Sequence, residues 1–221
     1  LDCFQSQTAE SLLAMIDLHL EEGFSSADAD KEAQALRAAT VEDSRQTILV
    51  EAFQAFKTSW DAFAPTDAER LTLLQQAYIT ANPNPAGSKD QLDYAPGYEA
   101  YHATHKQYHP AWRATLYERN YYDIFMLDLE GNLVYSVYKE LDYATNFQNG
   151  EFASSGLGEA FRAGLANPDV VSEIPWKPYA PSAGALASFL STGIKDSQGN
   201  LIGVFSTQFP PSAKPSNTAV A

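Results

Sequence analysis

The stretch Tyr121 to Phe147, YYDIFMLDLEGNLVYSVYKELDYATNF, decides the fold. YYDIFMLD and LVYSVYKE are rich in β-branched and aromatic residues, and LEGN between them is a turn signal, so the stretch reads as an antiparallel hairpin. Both faces of the first strand are apolar, with Phe125 and Leu127 on one side and Ile124 and Met126 on the other. A sheet built this way has to be covered on both sides. Asp123, Lys139 and Asp142 are charged among these aromatics. They raise the question whether the hairpin is plain core or one wall of a recognition site.

Towards the C-terminus the pattern recurs. ALASFLSTGI and LIGVFSTQF flank KDSQGN, again a Gly-Asn turn before a strand. Between the two hairpins, SSGLGEAFRAGLANP suits one short helix with Gly and Pro at its limits. The order strand, strand, helix, strand, strand predicts an antiparallel sheet in an α+β domain. One cover is the long helix before the sheet. The other is the segment 140–181, whose irregular apolar pattern predicts loose packing and therefore a pocket.

Towards the N-terminus the period is helical. Leu13, Ile16 and Leu20 share one face, and Leu49, Phe53, Phe56, Trp60 and Phe63 follow at steps of three and four. PTDAERLTLLQQAY opens a new helix, with Thr66 as N-cap and Glu69 three residues on. NPNPAG ends it. A last helix starts near Gly97 and carries Tyr101, His105, Tyr108, Trp112 and Leu116, with Pro110 expected to kink or restart it.

Composition bounds the function. The chain has 221 residues, 45% of them hydrophobic, and a net charge of −14. That field repels phosphate backbones and anionic lipid, so nucleic acid is not an expected partner. No run reaches the roughly 18 apolar residues of a membrane span. Cys3 is the sole cysteine, which excludes an intramolecular disulfide. The sequence opens at Leu1 without Met or a signal-peptide pattern, as expected of a piece of a longer chain.

The order of elements, and the segments NPNPAGSKDQLD, YHPAWR, YYDIFMLDLEGNLVYSVYKELDYATNF, SSGLGEAF, PYAPSAGALASFLSTGI and GNLIGVFSTQFP, resemble extracytoplasmic Cache (PAS-like, PDC) sensor domains. The match is to the variety in which long N-terminal helices precede a single Cache antiparallel sheet, as in methyl-accepting chemotaxis receptors, sensor histidine kinases and nucleotide cyclases. It departs at SEIPWKPYAP, where Trp176 and Lys177 replace a more acidic approach, and at STGI, which lacks the usual proline. The resemblance implies a helical segment over 1–118, a ligand-binding domain over 119–212 and a membrane-proximal tail over 213–221. It implies a periplasmic, non-enzymatic module of an inner-membrane receptor. That module would bind a small carboxylate or amino acid, continue into flanking membrane helices, pair as a homodimer in the full receptor and need no cofactor.

Candidate ligand residues follow. Lys139 ends the strand face of Tyr135 and Val137 and is placed to neutralise a carboxylate; a salt bridge with Glu140 or Asp142 is the alternative. Trp176, Tyr179, Ser182 and Ser188 supply hydroxyls and a ring to a proline-stiffened loop; the alternative is a loop whose hydroxyls satisfy its own backbone. Tyr138, Tyr143, Phe189 and Gln208 are candidates for wall and rim, or plain core. Arg113 is placed to clamp a carboxylate or to pair with Glu118 or Asp123. His102, His105 and His109, H-x2-H-x3-H on one helix face, have a spacing that suits zinc and a metal-dependent enzyme. Their aromatic neighbours and the lack of a fixed glutamate base favour packing. No nucleophile elbow, P-loop or dinucleotide motif is present.

Overall fold

The computed structural model describes residues 45–63, 66–97 and 99–210, so the expected helix at Leu13, Ile16 and Leu20 and the tail over 213–221 lie outside the described residues. Helix α1 (Arg45–Asp61) carries the predicted aromatic stripe. Helix α2 (Asp67–Gln75) begins at the expected N-cap: Thr66 Oγ1 accepts from the N–H of Glu69 at 3.3 Å and donates to Glu69 Oε2 at 2.8 Å. A π turn, Gln76–Thr80, prolongs it. Asn82 then closes the run, donating to the carbonyls of Tyr78 and Lys89 at 2.8 and 2.9 Å.

Helix α3 (Glu99–Glu118) passes through Pro110 as one element, so the expected restart does not occur. Pro110 is exposed, on the side of the helix where a freed carbonyl is open to solvent.

The sheet comprises β1 (Asp123–Asp128), β2 (Leu133–Ser136), β3 (Ser172–Tyr179), β4 (Ala185–Lys195) and β5 (Leu201–Phe209), in the order β2-β1-β5-β4-β3 with every pair antiparallel. Helix α4 (Gly156–Ala166) connects β2 to β3. The α+β class read from the sequence is the class found. The four-strand count is corrected to five. Pro175 and Pro178 hide β3 from a sequence reading, and proline is tolerated there because β3 is an edge strand, with a register shift between Ile174 and Lys177.

Both hairpin turns use one device. In DLEGN and DSQGN the aspartate Oδ1 accepts the asparagine N–H at 2.8 Å, and its Oδ2 accepts from the asparagine Nδ2 at 2.9 and 3.0 Å respectively. Gly131 and Gly199 take φ of +86° and +84° there, a region open to glycine at little steric cost.

The two faces of the sheet are different materials. Phe125, Leu127, Leu133 and Val204 pack with Leu157, Ala160 and Phe161 of α4 in a hydrocarbon cluster. Ile124, Met126, Val134 and Tyr135 pack instead with Phe56, Trp60, Tyr78 and Tyr101 from the helices. The expectation of loose packing over 140–181 is therefore corrected. Helix α4 packs densely with few large side chains because its glycines let the backbone approach; a Cβ at Gly164 would meet Val204 at 2.7 Å.

Candidate functional site

The charged residues of the opening hairpin converge where β2 leaves the sheet. Asp123 starts β1, opposite Gln208 of β5, and is buried. Its Oδ1 accepts the N–H groups of Ile124, Val137 and Tyr138 at 2.7, 2.9 and 2.9 Å, and its Oδ2 accepts from Ser136 Oγ at 3.0 Å. This carboxylate ties down the end of β2, where the ladder stops. Burial raises its pKa and the charge of Asp142 adds to the rise; the Tyr138 N–H and the Lys139 ammonium oppose it.

Lys139 follows with φ of +65°, a conformation that costs a non-glycine residue energy. The side chain is only 2% exposed and turns back under the strand. Its ammonium lies 4.7, 5.0 and 5.6 Å from the ring centres of Tyr135, Tyr143 and Tyr78, and donates to the carbonyls of Ser136 and Val137. Burial lowers its pKa, and the charge of Asp123 pulls it back up. A β-bulge helps make this box: Met126 faces Tyr135 while Leu127 faces Leu133, so Val134 is extra and joins Tyr135 in the helix-side cluster.

Beyond Lys139 the chain carries two more carboxylates. Glu140 accepts from Tyr122 at 2.7 Å and from Ser182 Oγ at 2.6 Å. Asp142 is 1% exposed; its Oδ2 accepts from Tyr179 at 2.5 Å, while its Oδ1 has no hydrogen-bond partner. Burial pushes Asp142 up to about 7 and the charge of Glu140 adds to the rise, against the pull of the Tyr179 hydroxyl and of the N–H groups of Asp142 and Tyr143. Gln208, 2% exposed, donates from Nε2 to Ser182 Oγ at 3.1 Å, and its Oε1 has no partner.

Helix contacts hold this loop from outside. Gln75 of α2 donates to the carbonyls of Leu141 and Tyr143 at 2.8 and 2.9 Å. Tyr101 of α3 donates to Val134 O at 2.6 Å and shares a 2.8 Å bond with the Tyr143 hydroxyl.

The three histidines are buried against the tyrosine box and diverge to separate partners. His102 Nδ1 meets the Tyr78 hydroxyl at 2.8 Å, and His105 Nδ1 donates to Asp93 O at 2.8 Å. His109 Nε2 lies 2.6 Å from Asp90 O, which can only accept, so Nε2 carries the proton and Nδ1 accepts from Tyr135 at 2.7 Å. Burial, then the charge of Lys139, holds His105 and His109 well below the usual imidazole range, so both are neutral. Among the described residues no group of three His, Cys, Asp or Glu side chains is arranged to hold a metal ion.

Of the sequence-derived candidates, the structure brings together Tyr135, Lys139, Tyr143, Tyr179, Ser182 and Gln208. Tyr138 is half-buried at the rim against Tyr122, with ring centres 4.9 Å apart. Phe189 packs on Tyr179 at 5.1 Å as wall. Ser188 donates to Ile174 O at 2.8 Å within the sheet. Trp176 is exposed on edge strand β3, and Arg113 bonds Asp93 Oδ1 at 2.6 Å and Asp90 O at 2.7 Å, latching the loop before α3. Neither Glu118 nor Asp123 is its partner in those bonds. Asp123 and Asp142 complete the cluster, yet the sequence reading gave them no ligand role. Their signal was present: an acidic residue opening an otherwise apolar strand, and another three residues past a buried lysine. A separate cleft of about 550 Å³ lies between α1, α2 and the β1–β2 turn, lined by Lys57, Arg70, Asp128 and Glu130 among others.

No protein-family profile matches the chain, and no curated protein matches it. Solved structures do. The sensor domain of the Vibrio cholerae histidine kinase DctB is 13% identical with a TM-score of 0.40, over 73% of this chain and 57% of that one. The sensory domain of the Campylobacter jejuni chemoreceptor Tlp3 with isoleucine bound is 12% identical with a TM-score of 0.37, over 75% and 60%. An extracellular ligand binding receptor from Desulfohalobium retbaense is 15% identical with a TM-score of 0.33, over 81% and 25%. The chain thus spans little more than half the length of the first two. At such low TM-scores the likeness by itself assigns neither ligand nor role.

Proposed function

We propose that the chain is the ligand-binding sensor domain of a bacterial transmembrane receptor. It faces the periplasm, recognises a small organic acid or amino acid, and passes a conformational signal across the membrane through flanking helices. In the full receptor it works as a homodimer. The observation that carries this reading is the buried polar cluster at the end of β2, where Lys139, held in a left-handed conformation, and Asp142 both act on the buried Asp123. Buried charges are costly, and an apolar replacement of like volume is often as stable. Such groups and such strain concentrate at functional sites.

The mechanism is binding without turnover. A ligand that prefers one arrangement of the loop 139–143 over another shifts the population by its difference in affinity. Gln75 and Tyr101 grip that loop and its strand, so α2 and α3 feel the shift. Among the described residues no helix is long and apolar enough to cross a membrane, so the reading requires membrane helices outside them. Calorimetry across small acids and amino acids tests it: one saturable site with no change in the ligand is expected. Absence of saturable binding across the panel would remove the direct-sensor reading.

A further inference from the structure

We propose that the cleft between α1, α2 and the β1–β2 turn is a second binding site, and that it takes a neutral polyhydroxylated molecule, a sugar or a cyclic polyol. It is separate from the cluster at the end of β2. Asp123 opens β1 in that cluster and Asp128 ends the same strand in the cleft, so a rise of about 3.4 Å per residue sets the two roughly 17 Å apart. The cleft holds about 550 Å³, within the roughly 300–1,000 Å³ of small-molecule sites.

The charges on its walls exclude most ligands. Lys57 and Arg70 are the cations of the lining, against the carboxylates of Asp61, Asp67, Asp128 and Glu130. Both cations are already committed. Lys57 Nζ pairs with Asp61 at 2.6 Å and lies 3.8 Å from Asp128, and Arg70 pairs with Asp67. An anion would therefore enter a net negative field and meet cations that are already paired. An apolar molecule would strip water from these groups and supply no bonds in return.

The inner wall lacks acceptors. Trp60 is 1% exposed and its Nε1–H has no partner, and the Nε–H of Arg70 has none either. The Arg70 guanidinium carbon lies 5.7 Å from the centre of the Trp60 ring, so both donors belong to one wall. A buried indole N–H usually finds a partner, and leaving one unmet is costly. A cationic ligand cannot accept from these groups and would set its charge against the guanidinium. At the rim Asp61, Glu130 and Asn149 are exposed and accept hydrogen bonds. A hydroxyl both donates and accepts. A ring carrying several of them serves the two N–H groups with its oxygens and the rim with its hydrogens, and adds no charge.

The test is isothermal titration of the intact chain with glucose, galactose, maltose and myo-inositol, and with glucuronate and protonated glucosamine as charged counterparts. At least one neutral probe should saturate, and both charged probes should bind at least about tenfold more weakly than the best neutral one. Arg70→Met keeps much of the stem's packing and removes the guanidinium, and should weaken the best neutral probe by about tenfold or more. Asn149→Ala, a truncation at an exposed loop position, should weaken it as well. A charged probe binding as tightly as the best neutral one, or binding that survives both substitutions, would overturn the assignment. So would the absence of saturable binding by every neutral probe.

Discussion

One sheet has two faces that obey different rules. Towards α4 it is hydrocarbon, with Phe125, Leu127, Leu133, Phe161 and Val204 in one cluster. Towards α1–α3 it is studded with hydroxyls and imidazoles, and Tyr78, Tyr101, Tyr135, Tyr143, His102 and His109 exchange hydrogen bonds inside the core. The first face needs only volume and shape. The second depends on matching donors to acceptors, because leaving a buried polar group unmatched costs more, about 1–3 kcal/mol, than a made bond contributes. The candidate site lies where the two meet, at the end of β2, with Tyr179 and Phe189 from one side and Tyr135 and Tyr143 from the other.

The contrast can be broken by mutation. Phe161→Ala on the hydrocarbon face should destabilise by about 3–5 kcal/mol through lost transfer energy and cavity formation. Urea unfolding should show that loss unchanged between pH 6 and pH 8, since no ionisable group is involved. Tyr135→Phe on the polar face removes a single oxygen. It should still cost about 1–3 kcal/mol, because His109 Nδ1 is left without its donor in a dry core. A cost near zero would mean that the hydroxyl and imidazole network is incidental.

The faces should also separate by pH. His105 and His109 are neutral in the folded protein because burial holds their pKa values down. In the unfolded chain they take up protons below about 6.5, so the unfolded state binds more protons there and stability falls as the pH drops through that value. His109→Gln, which can still donate to Asp90 O, should flatten part of this acid limb by a smaller amount than either packing effect. An unchanged limb in that variant would place the acid sensitivity elsewhere.

The sequence made some of this legible and hid the rest for identifiable reasons. The N-cap at Thr66 and the two D-x-x-G-N turns are local, so their residues state them directly. The edge strand β3 was hidden by Pro175 and Pro178, which are breakers everywhere except at an edge or bulge. Dense packing of α4 was hidden because Gly156 and Gly164 contribute close approach in place of side-chain volume. Lys139 stood out as charged among aromatics, but period-two alternation places it at a strand end facing solvent. Its burial depends on Tyr78 and Tyr143, brought from elements that alternation within one strand cannot see, and on a left-handed backbone that no residue type announces. Asp123 and Asp142 were visible as anomalies, and their roles emerged only once their donors could be counted.

The central claim is that the polar cluster at the end of β2 serves binding at the expense of stability, and Asp142→Asn measures both sides of it. Burial pushes Asp142 up to about 7 in the folded protein, far above its value in an unfolded chain. Between about pH 4 and pH 7 the folded state therefore holds a proton that the unfolded state has released, and this group's contribution to stability falls as pH rises through that window. Asparagine cannot ionise, so the variant should be as stable as the parent near pH 4 and more stable at pH 8. The gain is on the order of 4 kcal/mol at most, a rise of roughly three pKa units at about 1.4 kcal/mol each. Titrated with whichever small acid or amino acid binds the parent, it should lose at least tenfold in affinity. A variant less stable than the parent at pH 8, with probe binding intact, would show that Asp142 holds the fold together and would contradict the account.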